Sequence, residues 1–228
     1  MKIAVLVLVG PWPSNSRWLG DTVQSIADQT RQADEVIIID DGAQLSVPQM
    51  TKYGEVLREK NPQSQLIRLA TPWVIGPGML NWAIANSPCN WFFYCDSDDK
   101  MMPHCLEYAE ARVRTFGIPC LIRVPIVLST DVNDPVSGGQ CIFHKKIWAR
   151  VGGYADSFPQ DEHFFDRCLR RNPSYVGDMT EHKTEMYWHR EHPEAMTHNP
   201  LPTVKRRPEW VSKFGYSCDY VPVPEDFE

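Results

Sequence analysis

Three carboxylates lie close together directly after the apolar run 91–95, in the segment Asp96, Ser97, Asp98 and Asp99. Carboxylate oxygens suit Mg²⁺ or Mn²⁺, which often bind through one or two carboxylates together with substrate phosphates. Like charges this close repel each other unless a cation lies among them. The segment therefore predicts a divalent-cation site. The alternative is that Asp98 or Asp99 caps the helix that follows.

A second acidic group follows a glycine turn later in the chain. Gly152 and Gly153 predict the turn, and Asp161 then begins a helix with one apolar face. A carboxylate there could act as a general base, but acidic residues are also common at helix starts, where the helix dipole favours them. Both roles remain open for Asp161 at this point.

Strands and helices alternate through the first half of the chain. Short apolar runs at 3–9, 36–39 and 91–95 predict strands, as does the segment 66–69, and apolar residues at helical spacing between them predict helices. This alternation predicts an α/β fold with a mostly parallel sheet flanked by helices.

Acidic residues follow two of these predicted strands. Asp40 and Asp41 end the second strand, and Asp96 ends the fourth. In open α/β sheets ligands bind beyond the carboxyl ends of the strands. Both groups are therefore expected at the ligand-binding edge of the sheet.

The second half of the chain has a less regular pattern. Pro103 suits the first turn of a helix, residues 120–128 and 138–143 predict strands, and residues 161–171 predict a short helix. The stretch after Tyr175 shows no clear period, so we expect an irregular tail there.

Composition favours a folded domain and argues against a nucleic-acid-binding, membrane-spanning or disulfide-stabilised protein. The 228 residues are 43% hydrophobic and 23% charged, as in folded domains, and the net charge of -6 disfavours a broad nucleic-acid surface. No run approaches the ~20 apolar residues of a membrane span, and no small-residue cleavage site follows the first apolar run. Seven cysteines without a C-x-x-C pair argue against a disulfide framework and predict a cytoplasmic setting.

Five parts of the chain carry a recognisable set of motifs. They are LGDTVQSIADQTRQADEVIIIDDG, IGPGMLNWAIANS, WFFYCDSDDKMMPHCL, VGGYADSF followed by QDEHFFDRCLRR, and YWHREHPEAMT. In type and order they resemble the family-two glycosyltransferases, which have the GT-A fold. The resemblance implies one domain over residues 1–200, with a nucleotide-binding half to about 100 and an acceptor half after it. Residues 201–228 are expected to form a tail packed on this domain.

The resemblance also implies an activity and a set of site residues. The chain would be an inverting, metal-dependent enzyme that moves a sugar from a nucleotide-diphosphate donor, expected to be a UDP-sugar, to an acceptor hydroxyl. Asp161 would be the catalytic base. The donor would contact Asp40, Asp41, Asn81, Asp96, Ser97 and Arg190. Mn²⁺ or Mg²⁺ would be held by Asp96, Asp98 and His192.

Some residues depart from the family pattern. Gln160 replaces the acid that usually precedes the base, Glu162 could compete with Asp161, and Leu80 stands where an Arg often precedes Asn81. Two other functions therefore stay open: a nucleotide-sugar-binding module without turnover, and a phosphatase with a D-x-D motif. The residues do not indicate the acceptor, and a nucleic-acid base remains one of several classes.

Overall fold

Our computed structural model describes residues 1–11, 13–68, 77–117, 119–128, 140–154, 160–171, 176–178 and 186–193. The strands in these ranges are β1 (Ile3–Val9), β2 (Glu35–Asp40), β3 (Gln65–Arg68), β4 (Trp91–Asp96), β5 (Lys100–Met101), β6 (Leu121–Arg123), β7 (Ile126–Leu128), β8 (Cys141–His144), β9 (Val176–Asp178) and β10 (Tyr187–His189). The helices are α1 (Pro13–Ala27), α2 (Val47–Lys60), α3 (Pro77–Asn86), α4 (Cys105–Phe116), α5 (Lys145–Val151) and α6 (Gln160–Arg171).

The main sheet has the strand order β3-β2-β1-β4-β8-β6-β9. The first four of these strands are parallel, β8 is antiparallel to both β4 and β6, and β9 is parallel to β6. A smaller sheet has the order β5-β10-β7. The predicted α/β class with a mostly parallel sheet is confirmed.

Helices cover both faces of the main sheet. Ile3, Val5 and Val7 of β1 pack in one apolar cluster with side chains of α1, α2 and α4, whereas Ala4 and Leu6 pack in another with α3, α5 and α6. Successive side chains of a strand point to opposite faces, so a strand covered on both sides is apolar at every position. This explains why β1 is a continuous apolar run whose seven residues are all buried.

The second half of the chain corrects three predictions. Residues 120–128 form two strands in different sheets, because Pro125 lies between them and has no N–H to continue the ladder. Pro103 precedes α4, whose N-cap is His104, and its carbonyl accepts a hydrogen bond from the Thr30 N–H at 2.8 Å. The stretch after Tyr175 contains β9 and β10, which are too short to show a period.

The cysteines and the length of the helices can be compared with the sequence predictions in the described ranges. Six cysteines in the described ranges are free thiols, and each of them is buried. Within the same ranges, no helix combines the length and apolar character that crossing a bilayer requires. The predicted tail 201–228 and Cys218 lie outside the residues that the structure describes.

His144 caps the start of α5. Its Nδ1 accepts a hydrogen bond from the Lys146 N–H at 3.0 Å, and its ring lies edge-on to Trp91 with 4.8 Å between the centroids. Burial, and secondarily the charge of Lys146, lowers the pKa of His144 to about 4. Protonation would remove the acceptor nitrogen, so the cap requires neutral histidine.

We therefore expect His144 to make the free energy of unfolding depend on pH. Its folded-state pKa lies below the unfolded value, so its contribution is full above about pH 6.5 and falls as the pH approaches 4. His144→Asn keeps a side chain that can cap the helix but does not titrate. The loss of unfolding free energy between pH 7 and pH 4.5 should therefore be about 1 to 2 kcal/mol smaller in the variant than in the wild type, a value that allows for partial exposure of the ring. Urea unfolding of both proteins at pH 7 and pH 4.5 measures the difference; an identical loss in both contradicts the prediction.

Candidate functional site

The turn of residues 96–99 leads from β4 into β5, and α1 holds its backbone. The Asp99 N–H donates to the Asp96 carbonyl at 3.3 Å, which closes the turn. The Thr22 hydroxyl lies 2.9 Å from the Ser97 carbonyl oxygen and 2.7 Å from that of Asp99. Thr22 and Ser97 are both buried, so the core of the protein fixes the direction of the turn.

Asp99 joins this turn to β10. Its fully buried carboxylate lies 2.9 Å from His189 Nδ1 through one oxygen and accepts the Arg190 N–H at 2.9 Å through the other. The hydrogen bond to Asp99 raises the pKa of His189 despite burial of the ring. When His189 is protonated, it forms an ion pair with this carboxylate. Because α4 has His104 as its N-cap, the helix-capping alternative for Asp98 and Asp99 is wrong.

Asp98 faces His192. Its Oδ2 lies 3.1 Å from His192 Nε2, and the pKa of Asp98 is raised by burial and by the negative charge of Asp99. Nδ1 of His192 is buried and has no hydrogen-bond partner among the described residues. Trp18 of α1 packs against the imidazole ring with 4.5 Å between the centroids. A cation beside Asp98 would relieve the excess negative charge.

Asp96 is held differently from Asp98. Its Oδ2 accepts a hydrogen bond of 2.5 Å from Gln140 Nε2, and its backbone N–H donates to the Tyr187 hydroxyl at 2.9 Å. In the described part of the chain, no group of three or more His, Cys, Asp or Glu side chains is arranged to hold a metal ion. A cation at Asp98 and His192 would thus need ligands from water or a bound phosphate.

Arg190 lies beside the turn between two indole rings. Its guanidinium is 4.7 Å from the ring centroids of both Trp18 and Trp188, and Nη2 donates to Asp21 at 2.9 Å. Its Nε donates to the Asp98 carbonyl at 2.9 Å. The turn 96–99, Trp18 and residues 189–192 together form what we call the corner. Arg190 lies in this corner, where stacking and hydrogen bonds fix its positive charge.

Asp40 and Asp41 lie at the same edge of the sheet, at the end of β2. The Asp40 carboxylate accepts the N–H groups of Gln44 at 3.1 Å and Leu45 at 2.8 Å, and the Asp41 N–H donates to the Val9 carbonyl at 2.8 Å. Both acidic residues are buried. Asp40 thus shapes the turn beyond β2, and β1 separates this turn from the one after β4.

Asn81 connects α3 to the predicted glycine turn. Its Oδ1 accepts hydrogen bonds from Trp148 Nε1 at 2.9 Å and the Tyr154 N–H at 2.8 Å, and its Nδ2 donates to the Tyr154 carbonyl at 2.9 Å. Gly153 has φ 71°, and a Cβ there would lie 2.7 Å from Asn81 Oδ1. Only glycine fits both the backbone and the contact. The buried side-chain amide of Asn81, predicted to contact the donor, is hydrogen-bonded to Trp148 and Tyr154 in this structure.

The glycine turn also fixes α6. Arg167 donates to the carbonyls of Val151, at 3.0 Å, and Gly153. Phe164 stacks on Tyr154 with 4.4 Å between ring centroids. Asp161 lies in the first turn of α6, as predicted, but the side chains of residues 160–163 are outside the described part of the chain.

Several residues that contact the corner could not be predicted from the sequence. No sequence pattern indicates a role for Asp21, Trp18 or Gln140, because the fold alone brings each of them next to its partner. Asp99 and His189 lie within quoted motifs, and a buried acid paired with a histidine is a common arrangement. Their separation of 90 positions hides the pairing.

Comparison with known proteins agrees with the fold. The family model described as "Glycosyl transferase family 2" matches residues 15–160. No curated protein sequence matches the chain. The solved structure of S. aureus TarS 1-349 is similar, with 17% identity and a TM-score of 0.65 over 82% of this chain and 60% of that one. The UDP complex of TarS 1-349 has 16% identity and a TM-score of 0.65, and the match covers 85% of this chain and 61% of that one. The UDP-GlcNAc complex has 15% identity and a TM-score of 0.66, and the match covers 84% of this chain and 59% of that one. The chain thus spans about 60% of the length of these structures.

Proposed function

Because the chain belongs to glycosyl transferase family 2 and is therefore a glycosyltransferase, we propose that it transfers a sugar from a UDP-sugar to an acceptor hydroxyl with inversion. The observation that carries the proposal is the pairing of Asp98 with His192 at the carboxyl end of β4. The choice of UDP is supported by the TarS structures of the same fold, which were solved with UDP and with UDP-GlcNAc.

The donor is proposed to bind along the carboxyl edge of β2, β1 and β4. The nucleoside would lie against the turn that Asp40 and Asp41 begin, with Asp96 and Ser97 on the other side of β1. This edge is where α/β sheets bind nucleotides. Asn81 and Arg190 would support the donor site by fixing the glycine turn and the corner, since their observed contacts are with the protein.

The corner has features that fit Mn²⁺ or Mg²⁺. Asp98 has a raised pKa because it is buried beside the negative Asp99, and His192 has a buried nitrogen without a described partner. Asp98 and His192 would hold the ion, and water and the donor phosphates would complete its shell, because the described residues do not group Asp96 with them as a third ligand. Bound there, the ion would neutralise the charge that develops on the departing diphosphate.

The base is proposed to be Asp161. The acceptor oxygen attacks the anomeric carbon, its proton passes to the Asp161 carboxylate, and the bond to the diphosphate breaks with the electron pair leaving on the phosphate oxygen. One direct displacement inverts the configuration. Asp161 would be positioned by α6, whose place is set by the hydrogen bonds of Arg167 to the glycine turn.

A screen of nucleotide sugars tests this function. With Mn²⁺ we expect release of UDP from one UDP-sugar above the enzyme-free rate, loss of release with EDTA, and recovery when Mn²⁺ is added back. The binding-module alternative predicts thermal stabilisation by UDP with Mn²⁺ but no release, and the phosphatase alternative predicts inorganic phosphate. Absence of both stabilisation and release with every donor would overturn the proposal.

A further inference from the structure

Gln140 lies at the carboxyl end of β4, although it is far from Asp96 in sequence. It directly precedes β8, which runs antiparallel to β4, so the start of β8 meets the end of β4. The Gln140 carbonyl accepts the Val124 N–H at 3.1 Å, which fixes its backbone beside β6. The side chain is thereby directed at the corner, and the residue is 5% exposed.

The two ends of the Gln140 amide have different surroundings. Nε2 lies 2.5 Å from Asp96 Oδ2, and because an ionised carboxylate only accepts hydrogen bonds, the NH₂ group must face it. Oε1 is buried without a hydrogen-bond partner among the described residues. Among the described residues, the Gln140 side chain therefore makes one hydrogen bond, to a carboxylate oxygen, and its Oε1 has no partner.

Stability alone does not explain the amide at this position. A buried acceptor that finds no partner costs free energy, and an apolar side chain of similar length has no acceptor to satisfy. Asp96 is only partly buried, so water can replace the amide at its carboxylate. A glutamine in this place is best explained by what it does to Asp96.

Gln29 shows how a purely structural glutamine differs. It is 2% exposed, and its Nε2 donates to the carbonyls of Ser25 at 3.0 Å and Met102 at 2.8 Å. Its Oε1 accepts the Leu106 N–H at 3.1 Å. Both ends of that amide are satisfied by backbone groups, and no carboxylate is involved.

The geometry points to Gln140 as a positioning residue of the donor site, which holds the Asp96 carboxylate in the orientation that receives the nucleotide sugar. This inference rests on the proposed function and adds to it a residue outside every motif considered above. Gln140 acts through Asp96 and need not touch the donor itself.

Gln140→Met tests the inference, with Gln29→Met as the matched control. We expect Gln140→Met to unfold at the same or a higher temperature than the wild type. The KM for the UDP-sugar should rise about tenfold, because one hydrogen bond to a charged group is lost, while kcat should change less than threefold. Gln29→Met should unfold at a lower temperature with an unchanged KM. Gln140→Glu, which places a second carboxylate against Asp96, should raise the KM further.

Binding of UDP in the presence of Mn²⁺, measured by calorimetry, gives a second readout that needs no turnover. Gln140→Met should also have no additional effect in an Asp96→Ala background, because the two residues act as one unit. If the wild-type protein turns over a UDP-sugar and Gln140→Met has the same KM and the same affinity for UDP, this inference is wrong and the proposed function stands. If the wild-type protein binds no nucleotide, both are overturned.

Discussion

Asp161→Asn is expected to lower the rate of sugar transfer about 10²- to 10⁴-fold while UDP binding stays within about twofold of wild type. The amide cannot take the acceptor proton, whereas the proposed donor contacts at Asp96 and Ser97 are unchanged. Single-turnover UDP release with acceptor present measures the rate, and calorimetry with UDP measures binding.

Glu162→Gln is the matched control, since Glu162 lies beside Asp161 in the first turn of α6. Both changes remove one negative charge near the same helix N-terminus, so both should weaken the helix by a similar small amount. Full activity in Asp161→Asn together with loss in Glu162→Gln would assign the base to Glu162. If both variants lose activity because they fold less completely, the circular dichroism spectra of both will show reduced helix content.

Asp98→Asn is expected to change stability and activity in opposite directions. Transfer in Mn²⁺ should fall about 10²-fold or more, because the departing diphosphate loses the cation that neutralises it. The unfolding temperature without metal should rise, since burial and the charge of Asp99 already disfavour the ionised form of Asp98. Thermal unfolding with EDTA and UDP release with Mn²⁺ check the two signs.

Asp99→Asn provides the contrast for this prediction. The Asp99 carboxylate is fully buried and pairs with His189, so loss of its charge should lower the unfolding temperature. A lower unfolding temperature in Asp98→Asn as well would mean that its carboxylate is a structural partner of His192 and would contradict the metal site.

The first half of the fold was predictable from the sequence for a physical reason. β1, β2 and β4 are covered on both faces, so each contains a short continuous apolar run, whereas β3 lies at the edge of the sheet and is only partly buried. The later strands differ because β9 and β10 have three residues each and depend on distant partners for their hydrogen bonds. No local period can show such pairing.

The candidate site was predictable only where chemistry and position coincide in one motif. Asp96 and Asp98 follow a buried strand, and the fold places them at the expected edge. Asn81 and Arg190 as donor contacts stay predictions. Their side chains contact Trp148 and Trp18, respectively, and spacing does not reveal these tertiary neighbours. Asp161 as the base stays a prediction.

The long separation between Asp99 and His189 affects how the protein is made. The ribosome adds the 90 positions between them at about 5 to 20 residues per second, which takes about 5 to 18 seconds. During that time the Asp99 carboxylate must remain hydrated, since β10 does not yet exist. The buried pair of Asp99 and His189 therefore cannot form until residues 186–193 have left the exit tunnel.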